Sequence, residues 1–560
     1  MTKMRCGVAA VEALHAAGVT KLFGLMGSST LEIYDALYDH KDMQYVGVRH
    51  ENCGTHMADA YGRVTQTPGL FICGQAGPGV VNMMLGLAAA KMAYSPVVVI
   101  AGLPSTEHLG RDTFQELDQH TLFLPVTKRV LTVTRPERVP EFLLEAFRVA
   151  NSGRRGPVVV QIPRDLLNHE VDVAIPAKGG QPEVAAAAAE RSTLERVKAM
   201  ILESKAPVIH AGAGIKWGRG TANLLRLAEK LQLPVTSSAG HNDVAPVDHP
   251  LHFGGVGARG NPVATGLLRE ADLILALGTR LGFNTTRFSD DIVPHSAKIV
   301  QVDVDPIAIG RHFPVTLGIV GDAGTVAGAL ADVMDAIPAD RAPWRARNEK
   351  FVKDRRELWQ GREEAGSRGT KPLHPEAIYA ELRKVAPRDA LFTIDAGTTC
   401  LQSTDQLPYR APPALIAPLD CGNIGFSYAA GLGAKVAAPE RTVISLMGDG
   451  GFGMTMGEMA TAVMHGINTI AIVMDNGTWG SEIAYQRDFY NKRYIGAHVL
   501  SPRFDEVMKL CGGAGYFVTG AGETGDAVRQ AMKEAKPAVI HAKVDPEAVV
   551  SFRTDALKKP

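Results

Sequence analysis

The sequence predicts an α/β fold of three doubly wound parallel-sheet domains, on three observations. Apolar runs alternate with helical stretches along the whole chain, the pattern of α/β layers. Many of those runs end in glycine turns that lead into a helix, as Phe23–Ser29 and Gly69–Gly79 do. At 560 residues, 46% hydrophobic with 58 glycines, the chain is too long for one core and divides into about three.

The first domain is expected at residues 1–170, closed by the buried strand Pro157–Pro163. An Ala/Pro/Gly-rich stretch from Asp172 to Glu190 reads as a linker. A second domain, 190–340, holds the runs Pro207–Gly214, Asp272–Gly278 and Lys298–Asp303. The charged stretch from Asp340 to Lys371 is a helical or loose connector. A third domain, 372–545, precedes a basic tail, 546–560.

Lys+Arg and Asp+Glu balance at 59 each, so neither nucleic acid nor a membrane surface is an expected partner. The six cysteines show no metal-ligand spacing and no disulfide framework. The start lacks an apolar signal core, and no segment reaches about 18 uninterrupted apolar residues. The expected location is the cytoplasm.

Two strand ends of the third domain carry the chemistry. Arg441–Gly453 is an apolar run feeding Gly448-Asp449-Gly450-Gly451, and Thr469–Thr478 ends on Asp475-Asn476-Gly477. In a parallel sheet both ends point the same way, so Asp449 and Asn476 can converge on one cation. Magnesium takes six oxygens and prefers one or two protein ligands plus phosphate oxygens. Asp449, the Asn476 amide oxygen and a backbone carbonyl near Thr478 would leave the other positions to a diphosphate and water. The glycines let the backbone approach the phosphates. The plain alternative is a strand–turn–helix with Asp449 as its cap.

Gly-Asp-Gly followed about 27 residues later by Asn is similar to the signature of thiamine diphosphate (ThDP) enzymes. A second segment supports the likeness: Val48-Arg-His-Glu51-Asn52, then Ala58-Asp-Ala-Tyr-Gly-Arg63, resembles that family's glutamate segment. There a carboxyl group exchanges a proton with the aminopyrimidine ring, driving the tautomer that deprotonates the thiazolium carbon. Burial would raise such a carboxyl towards its working range. The three domains resemble the pyrimidine-binding, middle and diphosphate-binding arrangement of the acetolactate synthase-like superfamily, along essentially the whole chain. The resemblance implies ThDP and Mg2+ as cofactors and a homodimer or homotetramer, with each cofactor bridging two subunits. It assigns Gly27 to cofactor binding, Gly77 to the pyrimidine side and Gln115, in Phe114–Gln119, to the thiazolium. Gly397, Thr398 and Thr399 fall to a second diphosphate turn, and Asn423 and Ile424 to the segment whose bulky residue bends the cofactor. The glycine turns Gly212–Gly214 and Gly278–Arg280 leave open FAD or another nucleotide such as CoA, while the middle domain is read as structural.

Within the superfamily the likeness is to the sulfoacetaldehyde acetyltransferase group, carried by Phe114–Gln119, His241–Asp243, Gly433–Pro439, Trp479–Arg493 and Phe552–Pro560. Those enzymes expel sulfite from sulfoacetaldehyde and pass the acetyl group to phosphate. Arg487, Lys492, Arg493 and Arg553 are candidate substrate contacts, since anions demand cations, and Glu482 is a further candidate in the same stretch. The chain departs from that group at Ile483-Ala484-Tyr485, where the resembling enzymes tend to carry basic residues. The runner-up is a carbon–carbon lyase or carboligase: a 2-hydroxyacyl-CoA lyase, an oxalyl-CoA decarboxylase or an acetolactate synthase-like enzyme. A non-catalytic subunit is a third class, and Glu51 argues against it. The substrate is accordingly an aldehyde, keto acid or acyl-CoA.

Overall fold

The computed structural model describes residues 2–177, 179, 185–335 and 342–551. An antiparallel pair, β1 (Thr2–Arg5) with β8 (Glu170–Val173), flanks the first domain. Between them run β2 (Lys21–Leu25), β3 (Gln44–Gly47), β4 (Gly69–Cys73), β5 (Val97–Leu103), β6 (Arg129–Thr132) and β7 (Val158–Pro163). They form a parallel sheet in the order β3-β2-β4-β5-β7-β6. The middle domain contributes β9 (Pro207–Ala211), β10 (Val235–Ser237), β11 (His252–Gly255), β12 (Leu273–Leu277), β13 (Lys298–Asp303) and β14 (Leu317–Val320). Their order is β11-β10-β9-β12-β13-β14. The third domain has β15 (Leu391–Ile394), β16 (Leu415–Ile416), β17 (Val443–Gly448), β18 (Ile470–Asp475), β19 (Ala514–Val518) and β20 (Ala538–Lys543). These follow β16-β15-β17-β18-β20-β19.

The expected α/β class of three parallel-sheet domains therefore stands. Strand composition explains it. Every residue of β5, β9, β12 and β18 is buried, as in strands sandwiched between helix layers, and β-branched or leucine side chains dominate them. Each strand order reverses inside the sheet, between β2 and β4, between β9 and β12, and between β15 and β17, and the first and third sheets invert again at their edge pairs β7-β6 and β20-β19. Such a reversal opens a crevice beyond the carboxyl ends of the strands. The glycine turns read from the sequence, at Gly27, Gly212, Gly278 and Gly397, follow those strands, and Gly448 ends β17.

The first and third domains share one core. The Glu51–Thr65 helix packs on the Ser427–Ala437 helix, and Met57 and Ala58 join Ala429 and Leu432 in a single apolar cluster. Gly433 makes the approach possible, because a Cβ there would collide with the Met57 carbonyl. Gly433→Ala is expected to cost about 1–3 kcal/mol through overpacking, read as a lower urea midpoint of the apoprotein.

Asp405 ties the middle domain to the third. Its buried carboxylate accepts from Asn242 Nδ2 (3.0 Å), Gly255 N (3.2 Å) and Asn261 Nδ2 (2.9 Å) of the middle domain. Arg362, on the connecting helix Ala342–Gly366, adds Nη2 at 2.8 Å. Among the described residues no helix is long and apolar enough to cross a membrane.

Candidate active site

A cavity of about 750 Å³ opens beyond the carboxyl ends of β15, β17 and β18. Gly448 of β17 pairs with Met474 of β18, so Asp449, one residue on, and Asn476, two residues on, leave adjacent strand ends. Gly448, Gly450, Gly451, Asn476 and Thr478 line the cavity, as do Gly397, Thr398 and Thr399 beyond β15. Asp449 opens the short helix Asp449–Gly453 and is almost wholly buried. Its Oδ2 accepts from Ser501 Oγ (2.8 Å), whereas its Oδ1 is buried with no protein partner among the described residues. Burial pushes the Asp449 carboxyl up to about 6; Ser501 opposes that rise and Asp475 adds to it.

The second strand end is held from behind. Asn476 Oδ1 accepts from Thr478 N (3.0 Å). The bonds Trp479 N to Ala497 O (2.8 Å) and Val499 N to Gly477 O (2.9 Å) pin the turn without using the Thr478 carbonyl. Asp475 accepts from Gly477 N (2.9 Å), His541 Nε2 (2.9 Å) and Lys543 Nζ (3.0 Å). Phe504 N donates to His541 Nδ1 (3.1 Å), so Nε2 carries the proton given to Asp475. Burial works to raise the Asp475 carboxyl, and His541 and Lys543 outweigh it, holding it at about 2.

One orphaned carboxylate oxygen, one amide oxygen and one carbonyl make a hard-oxygen set of the kind magnesium takes alongside phosphate oxygens. No group of three or more His, Cys, Asp or Glu side chains suited to a metal occurs among the described residues. The glycines keep the floor bare: a Cβ on Gly450 would strike the Trp479 ring, and one on Gly451 would strike Asp395.

Asp395 was not singled out in the sequence, yet it organises the wall. Its buried carboxylate accepts from Gly425 N (3.0 Å) and Phe426 N (2.9 Å), fixing the turn that places Ile424 in the lining. Its signal was an acid ending an apolar strand just before Gly397. Neighbouring Asn423 points elsewhere: its Nδ2 lies 3.2 Å from Nε2 of His56, on the Glu51–Thr65 helix.

The other candidates gather at the β2/β4 crevice of the first domain. His50 caps the Glu51–Thr65 helix, with Asn52 N donating to its Nδ1 (3.1 Å). Glu51 is buried, and Asn82 Nδ2 donates to its Oε2 (3.0 Å). A Cβ on Gly79 would stand 3.1 Å from Glu51 Oε1. Gly77, at φ 59°, brings its backbone against Gln115: a Cβ there would lie 2.7 Å from the Gln115 carbonyl oxygen. The Gly77 N–H donates to Gln119 Oε1 (2.8 Å), so Gln119 supports this turn while Gln115 faces it. Gly27 abuts Gly74, where a Cβ would lie 2.6 Å from the carbonyl oxygen. Glu51, Gly27, Gly77 and Gln115 do not line the third-domain cavity of the same chain.

Among the substrate candidates, Glu482 lines the cavity and Arg487 is engaged elsewhere. Arg487 donates to the carbonyls of Glu547 (3.1 Å) and Val549 (3.0 Å) and pairs with Asp488 (2.8 Å). Lys492 and Arg493 are exposed and stand outside the lining; Arg553 lies outside the described residues. Where basic residues were missed, Tyr485 reaches the cavity, as does Tyr490. Arg259 and Asn284 enter the lining from the middle domain, with no local sequence signal to announce them. A second cavity, of about 770 Å³, sits where the middle sheet reverses, lined by Gly214, Gly278 and Asp303. It is the place where the glycine turns left a nucleotide open.

Residues 4–122, 194–330 and 395–542 match the thiamine pyrophosphate enzyme N-terminal TPP binding domain, central domain and C-terminal TPP binding domain, in that order. The chain belongs to the thiamine pyrophosphate enzyme family, with two cofactor-binding domains around a central one. It is 34% identical to the sulfoacetaldehyde acetyltransferase of Alcaligenes xylosoxydans xylosoxydans, over 100% of this chain and 96% of that protein. Its identity to the enzyme of the same name from Castellaniella defragrans is also 34%, over 98% and 95%. A probable acetolactate synthase large subunit of Methanocaldococcus jannaschii is 32% identical, over 97% and 92%.

Proposed function

We propose that this chain is a ThDP- and Mg2+-dependent transferase that converts sulfoacetaldehyde and phosphate into acetyl phosphate and sulfite. The observation that supports the cofactor half is the buried, unpartnered Oδ1 of Asp449, whose neighbours Gly448 and Gly450 line the same cavity as Asn476. The substrate half rests on full-length likeness to two sulfoacetaldehyde acetyltransferases.

Asp449, the Asn476 amide oxygen and the Thr478 carbonyl would hold the cation. Backbone amides at Gly397–Thr399 and Gly448–Gly451 would meet the phosphates. When bound, ThDP supplies an acidic thiazolium carbon that adds to the substrate carbonyl. Glu51, oriented by Asn82, would exchange a proton with the pyrimidine ring, and Ile424, in the cavity lining, would back the cofactor. Gln115 stands towards the thiazolium. Glu482 and Arg259 line the cavity, and Arg259, almost buried and donating Nη1 to the Leu419 carbonyl (3.1 Å), brings a guanidinium to its wall.

Glu51 is not among the residues lining the diphosphate cavity of its own chain, which supports a reading in which a second copy completes each site. Phe114 is 85% exposed and Leu500, beside Ser501, is 100% exposed, apolar surface consistent with an obligate homodimer.

The deciding experiment supplies purified enzyme, ThDP and Mg2+ with sulfoacetaldehyde, with and without phosphate. Phosphate-dependent release of sulfite and acetyl phosphate is expected. Acetolactate from pyruvate with no sulfite release would move the reading to a carboligase. That second reading is favoured by the acetolactate synthase relative and by the absence of basic side chains at Ile483-Ala484-Tyr485.

Cation binding should also depend on pH. A proton competes with the metal for Asp449, whose carboxyl titrates at about 6 in the metal-free protein. Affinity for ThDP–Mg2+ is therefore full above that value and falls about tenfold per pH unit below it. Quenching of Trp479 fluorescence, measured between about pH 5 and 8, reads it directly.

A further inference from the structure

We propose that Glu458, in the third domain, is a positioning residue that sets the aim of Glu51, a role that rests on the activating function proposed for Glu51 above. Glu458 opens the Glu458–Met464 helix just after the segment bearing Asp449, and only 1% of it is exposed. Its side chain reaches across the domain boundary. Oε1 accepts from Arg49 N and His50 N, each at 3.0 Å, and Oε2 accepts from Thr461 Oγ1 at 2.6 Å. The Cys53 thiol bonds to it as well.

The amides of Arg49 and His50 lead into the Glu51–Thr65 helix, and they are the backbone groups nearest Glu51 on its N-terminal side. A carboxylate buried this deeply is costly unless donors meet it, and here the donors belong mostly to the Glu51 segment. His50 serves its own helix through its ring, so its peptide N–H depends on Glu458. Releasing that peptide moves the Glu51 backbone directly, and the Asn82 bond alone would then orient its carboxylate. Since Glu51 does not line the diphosphate cavity of its own chain, Glu458 also joins the diphosphate half of one cofactor site to the proton-transfer half of another.

The test uses full-length protein loaded with ThDP and Mg2+. It compares wild type, Glu458→Ala, Glu458→Gln and Glu51→Gln by deuterium exchange at the thiazolium carbon, ThDP Kd and urea midpoint. Glu458→Ala should slow exchange by about 10- to 100-fold, the scale of a misplacement near 1 Å, with ThDP Kd within about 3-fold. Glu458→Gln keeps an acceptor for the two amides and should restore exchange to within about 3-fold of wild type. Wild-type exchange in Glu458→Ala overturns the proposal. So does an equal loss of exchange and of ThDP affinity, or failure of Gln to rescue. Should Glu458→Ala not fold, Thr461→Val, which removes the 2.6 Å bond orienting the carboxylate, is expected to slow exchange measurably, and no slowing refutes the role. If Glu51→Gln itself exchanges normally, it is the activating function of Glu51 that fails.

Discussion

Glu51→Gln is expected to lower turnover by about 10²- to 10⁴-fold, the range lost with a general acid–base group, while ThDP still binds. The substitution is nearly isosteric. A glutamine oxygen can keep the 3.0 Å bond from Asn82, and the site is buried enough that no water shell replaces the lost carboxyl. What disappears is the ability to exchange a proton with the pyrimidine ring. Steady-state rates together with a ThDP titration separate the two effects. A variant with near-normal rate would refute the activation route, and one that fails to bind ThDP would make Glu51 a structural group instead.

Asp449→Ala should abolish Mg2+-dependent ThDP binding, with a loss beyond the 10- to 100-fold that follows removal of a supporting residue around a metal. The same change should leave the apoprotein at least as stable as wild type. Burial pushes the Asp449 carboxyl up to about 6, so at neutral pH its charge is held against a desolvation penalty that Ser501, its own amide and Lys543 only partly offset. Thermal melts with and without ThDP–Mg2+ check both halves. The apo midpoint is expected to stay or rise, and the ligand-induced upward shift is expected to vanish. A variant that melts early and still responds to the cofactor would give Asp449 a structural role and remove the metal reading.

The legible parts of this molecule were those encoded in contiguous residues. Apolar strands ending in glycine turns disclosed three parallel sheets, because a buried parallel strand must be apolar and its ligand-facing end must let the backbone come close. Gly448-Asp449-Gly450 and Asn476 stood out for that reason, and they follow the ends of the adjacent strands β17 and β18. What stayed hidden depends on long-range pairing. Nothing local marks Glu458 as the acceptor for two amides in the first domain, or Arg259 and Asn284 as walls of the third-domain cavity. Arg487 shows the converse difficulty. Its charge and place suggested a substrate contact, and the fold uses its guanidinium on main-chain carbonyls of the C-terminal segment. Gln119 stood in a segment already singled out, but only the Gly77 N–H identifies it as the glutamine that braces the turn.

The cluster of donors on Asp405 bears on how substrates get in. With Asn242, Gly255, Asn261 and Arg362 all bound to one buried carboxylate, the middle domain is riveted to its neighbour and cannot act as a swinging door. Arg259 and Asn284 then form a stationary jamb of the entrance, and any opening and shutting falls to other parts of the rim.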